Sequence, residues 1–255
     1  MIDRTLTSDE MKIINNVFIN NNPFPHVILK KLFSDSCLMA VNEEIATFTN
    51  WNIYKQKYYS REKFCCNNMK QLPVNTRKFI EFLNSKKFIS FLATLSDIPN
   101  LIADPYLIGG GIHCIKRGGF LKVHSDFNFH KILKLHRRLN VLIYLNKNWN
   151  SDWGGHLELW NKTVSKCVKQ VAPKFNTMVV FSTTNNSYHG HPDPLNCPED
   201  VTRNSIAMYY YTKTRPESEL VTPGVGGRKG KNSTTAYVLR PENDEDMLSL
   251  SKKNP

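Results

Sequence analysis

The sequence predicts an α+β protein with a mainly β core: a helical layer in the first hundred residues, then a double sheet of short strands. Three observations carry this. Apolar residues before position 100 recur at helical spacing. After Pro105 the chain breaks into β-branched and aromatic runs separated by Gly, Asn, Asp and Pro. From Lys213 onward the apolar periodicity fades into a segment rich in Pro, Gly and charge.

The elements follow in order. The apolar segment HVILKKLF (26–33) is a strand candidate. SDSCLMAVNEEIATFT (34–49) opens with an N-cap Ser or Asp and places Leu38, Val41, Ile45 and Phe48 on one helical face. NIYKQKYYSREKF (52–64) mixes aromatics with basic residues and reads equally as helix or surface. PVNTRKFIEFLNSKKFISFLATLS (73–96) is helical again, with Phe79, Phe82 and Leu83 and a later group at Phe88, Phe91, Leu92 and Leu95. The runs GIHCIKRGGFLKVHSD, RLNVLIYLNKNW, GGHLELWN, CVKQVAPKFNTMVVFS and NSIAMYYYT then read as strands of a sandwich or barrel. GGG at 109–111 and RGG at 117–119 suit tight turns, and Gly154 and Gly155 let a strand start close to another backbone. The expected organisation is a single domain, 1–255: a helical layer over 1–104, a β core over 105–215, and a loop or tail over 216–255 that either covers a site as a lid or is disordered.

Composition narrows the function classes. No window approaches about 18 consecutive apolar residues, and the N-terminus MIDRTLTSDEMKIINN carries acids where a signal peptide needs an apolar run. A soluble, cytoplasmic protein with no membrane partner is expected. Six cysteines lack any C-x-x-C spacing and read as reduced thiols. The net charge of +12 favours anionic company. Basic residues are scattered, with aromatic interleaving only at 52–64, so a nucleic-acid partner ranks last.

The chemistry is concentrated in LKVHSDFNFH (121–130). Side chains alternate along a strand, so His124 and Asp126 project from one face, close enough to share a metal ion. A third ligand lies best in TTNNSYHGHPDPL, where His189 and His191 follow the apolar run TMVVFS. Two histidines and a carboxylate make the facial triad of non-haem Fe(II) oxygenases, with positions left open. A lone His-x-Asp is ordinarily a solvated strand end; TRNSIAMYYY, which follows His189, changes the balance. Its Arg203 has a planar fork matched to a carboxylate, and Ser205 faces the same side, which suits a dicarboxylic acid whose other end chelates iron.

In this order the motifs His124-x-Asp126, NVLIYLNKNW, GGHLELW, APKFNTMVVFS, YHGH and TRNSIAMYYYT resemble the 2-oxoglutarate and Fe(II)-dependent oxygenases of the prolyl-4-hydroxylase-like branch, over roughly residues 105–215. The resemblance implies a double-stranded β-helix, or jelly roll, flanked by N-terminal helices. It implies Fe(II) held by His124, Asp126 and His189, and 2-oxoglutarate held by Arg203 with Tyr144 and Ser205. His189 is preferred to His191 because it takes the first position of HGH. Ascorbate is implied as a stimulant. The implied reaction is hydroxylation of an unactivated C–H bond, foremost in a prolyl residue of a protein or peptide. The alternatives are a small molecule such as a free amino acid or glycan precursor, and a non-enzymatic jelly-roll binding module. One departure bears on substrate: relatives carry a tyrosine nine residues before the first ligand, where this chain has Ile115, with His113 as its same-face neighbour. The basic stretch FNFHKILKLHRRLN (127–140), with His130, Lys131, Lys134, His136, Arg137 and Arg138, is expected as a loop at the substrate mouth that favours an anionic or extended substrate.

Overall fold

The computed structural model describes residues 1–3, 6–53, 58–219, 235–238 and 240. Among them, helices α1 (Ser8–Asn20), α2 (Asp35–Ala46), α3 (Val74–Leu83) and α4 (Lys86–Ser96) all precede residue 97. Strands β1 (His26–Lys30), β2 (Asn52–Ile53) and β3 (Ser60–Cys66) are interspersed with them. The chain continues through β4 (Ile102–Ala103), β5 (Gly111–Ser125), β6 (Phe129–His130), β7 (Leu135–Tyr144) and β8 (Leu157–Trp160). It closes with β9 (Cys167–Val171), β10 (Thr177–Ser182), β11 (His189–His191), β12 (Arg203–Thr212) and β13 (Ala236–Tyr237). No helix among the described residues is long and apolar enough to cross a membrane.

The helix ends are set by local chemistry. α1 opens on a capping box in which the Thr7 hydroxyl accepts the Glu10 N–H at 3.2 Å and the Glu10 carboxylate accepts the Thr7 N–H at 2.8 Å. The helical stretch 73–96 is two helices. α3 stops at Asn84, and the Ser85 side chain accepts the Phe88 N–H to start α4. Pro73 offers α3 no side-chain cap, and Glu44 of α2 does so from outside, accepting the Asn75 and Thr76 N–H groups at 2.8 and 2.7 Å. The segment 52–64 is not helical where it is described: β3 lies antiparallel beside β5, with Phe64 opposite Cys114. Its β-branched and aromatic neighbours on β5 override its mixed local signal.

The strand order is β1-β10-β7-β12-β5-β11-β8-β9, antiparallel throughout. β5 serves both halves of the jelly roll. Its first part pairs with β12 and β3, and its end pairs with β11 at His124 and with β13 at His124 and Ser125. Period-two alternation then divides the residues. Leu139, Val141 and Ile143 of β7 and Ile206, Met208 and Tyr210 of β12 face α3 and α4 in the main core with Phe79, Leu83, Phe88 and Leu92. Their alternates, including Asn140, Leu142, Tyr144, Arg203 and Ser205, face a cavity inside the sheet.

Candidate active site

Cross-strand register brings the predicted residues together. His189 of β11 stands opposite His124 of β5, and Asp126 follows directly after β5. His124 Nε2 lies 3.4 Å from Asp126 Oδ1, and His189 Nε2 lies 3.4 Å from Asp126 Oδ2. The three ligand atoms all fall within 4.8 Å of one another. The chain can come this close because of Gly190: a Cβ there would meet the Leu121 carbonyl oxygen at 2.8 Å and that of Lys122 at 3.0 Å.

Each histidine is oriented by its other nitrogen. His124 Nδ1 sits 2.8 Å from the Lys122 carbonyl and His189 Nδ1 2.9 Å from the Ser187 carbonyl, so Nδ1–H donates and Nε2 presents its lone pair to the centre. Burial and the neighbouring His189 lower the His124 pKa against the pull of Asp126, which favours the neutral, metal-competent imidazole. Burial alone would raise the Asp126 carboxyl. The Arg137 guanidinium, as the largest opposing influence, holds it well below the usual carboxylate range. The donor set therefore fits a divalent ion of Fe(II) type: two imidazoles and one ionised carboxylate facing a common point beside open space.

That space is a cavity of about 150 Å³ that reaches from the triad to Arg203. Arg203 is buried; its Nε donates to the Gly155 carbonyl at 2.7 Å and its Nη2 to the Tyr144 hydroxyl at 3.3 Å. The guanidinium carbon lies 5.0 Å from the Tyr144 ring centroid. Ser205 lies opposite both Tyr144 and His113, so the three share one face. Gly155 has φ +68°, and a Cβ there would stand 3.0 Å from Arg203 Cδ, so the glycine leaves room for the arginine itself. Ile115 and His113 both line the cavity. His113 is pushed down to about 3 by burial, then by Lys63 and Arg203, and stays neutral.

The expected basic mouth loop is corrected. His136, Arg137 and Arg138 are in β7 rather than in a loop, and Arg137 is fully buried, donating from Nη2 to Asp126 Oδ2 at 2.8 Å. Arg138 pairs with Glu219 at 2.9 Å, and His130 with Asp104 at 3.2 Å. Lys131 and Lys134 remain exposed. Asn140, which donates to Asp126 Oδ2 at 2.6 Å, was not singled out by the sequence. Strand alternation back from Tyr144 through Leu142 points to it. Lys63, also on the cavity wall, lay hidden in the ambiguous stretch 52–64. The lid expected from 216–255 falls largely outside the described residues. Within them, β13 pairs with β5 beside His124, and Tyr237 stacks on Tyr59 at 4.3 Å with its ring 5.3 Å from that of His124.

Residues 110–211 match the profile of a family described as the 2OG-Fe(II) oxygenase superfamily. The mouse protein prolyl 3-hydroxylase OGFOD1 is 23% identical over 220 residues, covering 81% of this chain and 36% of the relative. The chain thus spans well under half the length of the curated relatives it matches. Among solved structures, a Trichoplax adhaerens prolyl hydroxylase in complex with a hypoxia inducible factor peptide fragment aligns with a TM-score of 0.56 and 17% identity, over 82% of this chain and 95% of that one. HygX from Streptomyces hygroscopicus, with nickel and 2-oxoglutarate bound, aligns with a TM-score of 0.52 and 13% identity, over 95% of this chain and 99% of that one. These two likenesses are of fold.

Proposed function

We propose that the chain, whose residues 110–211 match the 2OG-Fe(II) oxygenase superfamily, is a 2-oxoglutarate- and Fe(II)-dependent dioxygenase that hydroxylates a prolyl residue of a protein. One observation carries the reading: three ligand atoms of His124, Asp126 and His189 converge in the cavity that also holds a buried Arg203. The prolyl assignment leans on the name of the mouse relative, which adds carbon 3 of the ring to carbon 4 as a candidate position.

His124, Asp126 and His189 would hold the metal, which would let dioxygen act as the oxidant of an unactivated C–H bond while 2-oxoglutarate, oxidised to succinate and carbon dioxide, supplies the accompanying two electrons. The chain's own work is positioning and shielding. Arg203 presents the Nη groups left over from Gly155 to a carboxylate, and Tyr144 and Ser205 add hydroxyls beside it. Leu142 and Leu157 line the same cavity and help keep water from the reacting end. Asp126 stays ionised through Arg137 and Asn140, which fix it as a ligand.

Residues 1–255 act in this reading as one unit, since β1 and β3 from the first hundred residues complete the sheet of the β core. Thr235 and Tyr237 form part of the cavity wall, which supports a covering role for the segment 235–238. The six free cysteines fit a reducing, cytosolic setting, and ascorbate is the reductant expected to sustain turnover. Exposed Lys131 and Lys134 leave an acidic peptide as the favoured partner chemistry.

The test is an anaerobic titration of Fe(II) and 2-oxoglutarate followed by the visible charge-transfer band of the chelate, in wild type, Asp126→Ala and Arg203→Ala. A band in wild type that either substitution weakens supports the proposal. A folded wild type that binds metal yet gives no band overturns it.

A further inference from the structure

His191 stands two residues beyond His189 on β11 and faces the same cavity. It is only 4% exposed, and neither Nδ1 nor Nε2 has a hydrogen-bond partner. A neutral imidazole carries one N–H and one lone pair, and leaving both unpaired in a buried position costs free energy. The contrast with its neighbours is chemical. His124 and His189 each spend Nδ1 on a backbone carbonyl and keep Nε2 for the triad, whereas His191 keeps both nitrogens uncommitted. Register places it opposite Leu121, which offers its ring nothing polar.

The surroundings specify what would satisfy it. On the facing part of the sheet, Arg203 stands opposite Ile115, and Ile115 opposite Lys63. Arg203 and Lys63 therefore flank one strand, about 10 Å apart in the hydrogen-bonding direction, and both line the cavity with His191. The acidic residue on this wall, Asp126, is already committed to Arg137, Asn140 and the two triad histidines. A wall with this many donors and cations fits an anionic ligand rather than a neutral one.

We propose that His191 is a co-substrate-binding residue, whose imidazole N–H donates to the dicarboxylate that Arg203 holds. The assignment rests on the 2-oxoglutarate reading above and adds a donor from β11 to those from β7 and β12. The bound anion is then gripped from three strands, which fixes its tilt relative to the triad as well as its depth. The unpartnered ring on the cavity wall is the counterpart of that grip, a polar group held ready for a ligand.

Two variants separate this from a structural role. His191→Leu removes all hydrogen bonding at similar bulk, and His191→Asn keeps a donor and an acceptor. In the anaerobic Fe(II) titration, His191→Leu is expected to weaken 2-oxoglutarate binding by about tenfold or more, and His191→Asn to recover most of it. Ni(II) affinity without 2-oxoglutarate, read by calorimetry, stays at the wild-type value in both. The metal-free Tm of His191→Leu is at or above that of wild type, because an unsatisfied buried group has been removed. Should the leucine variant not fold, His191→Met, which fills the space flexibly, takes its place. Equal 2-oxoglutarate affinity in wild type and the apolar variant overturns the assignment while leaving the proposed function standing. Absence of any chelate band in wild type fails the proposed function itself, and the assignment with it.

Discussion

Arg137 and Asp126 form a buried ion pair, Nη2 to Oδ2 at 2.8 Å, with the arginine side chain wholly excluded from solvent. The guanidinium lies over the Tyr209 ring at 3.4 Å and the Phe127 ring at 4.5 Å, and its Nε donates to Asn140 Oδ1 at 2.8 Å. A planar cation fits this aromatic slot where an ammonium would not. The pair holds a carboxylate at a strand end in one ionised position, as the proposed metal ligand requires.

Arg137→Met leaves the Asp126 charge without its main partner, so the metal-free protein should lose about 3–5 kcal/mol of stability. A divalent ion substitutes for part of the missing positive charge. The rise in Tm on adding Ni(II) is therefore larger in the variant than in wild type. A smaller rise would mean that orientation of Asp126, rather than charge balance, is what Arg137 supplies.

On the proposed assignment the metal binds the folded triad and not the unfolded chain, so a chelator should lower the Tm of metal-loaded wild type by several degrees, and excess Fe(II) or Ni(II) under anaerobic conditions should restore it. His189→Ala removes one ligand of the triad and should flatten this response. A variant that still shows the full metal-dependent shift would place the ion elsewhere.

Gly155→Ala puts a methyl group at φ +68°, 3.0 Å from Arg203 Cδ and 2.5 Å from Leu195 Cδ2. Strain of about 1–3 kcal/mol is expected, and Arg203 must shift. The KM for 2-oxoglutarate should rise more than the KM for the peptide. An unchanged ratio of the two constants would show that the arginine has room to adjust.

His113 is pushed down to about 3 from its ordinary 6.5, chiefly by burial. Its folded pKa is depressed, so its contribution to stability is complete above about pH 6.5 and is lost as pH falls toward 3, because the unfolded chain takes up the proton first. Urea denaturation at pH 7.5 and pH 5 should show a smaller loss of stability in His113→Phe than in wild type. Parallel losses would assign the acid sensitivity to other groups.

Tyr237 stacks on Tyr59 and stands beside His124. If the segment covers the substrate, Tyr237→Ala should raise the KM for a prolyl peptide by up to about tenfold, the range of an aromatic contact, with metal and 2-oxoglutarate affinities near those of wild type. Loss of metal affinity instead would assign the ring to support of His124.

Much of the site was legible because its signals are local. His124 and Asp126 share a face by alternation alone, and Tyr144, Arg203 and Ser205 sit within strands that announce themselves by apolar periodicity. The α1 capping box Thr7-Ser8-Asp9-Glu10 was equally local and went unused. Arg137 was misread for the opposite reason: in a run of six basic or histidine residues, nothing nearby marks the one that turns inward, and its partner Asp126 lies across a turn. Asn140 is masked by the apolar residues around it, and Lys63 by a stretch without clear periodicity.

The sequence alone determined the element types where periodicity is clear, the alternating faces and the ligand candidates, since these follow from the period of the backbone and the chemistry of single side chains. The tertiary structure decided which cation is buried against Asp126, and that β3 and β13 flank β5. Those outcomes depend on cross-strand register and desolvation, which join residues tens of positions apart and leave no trace in any one segment.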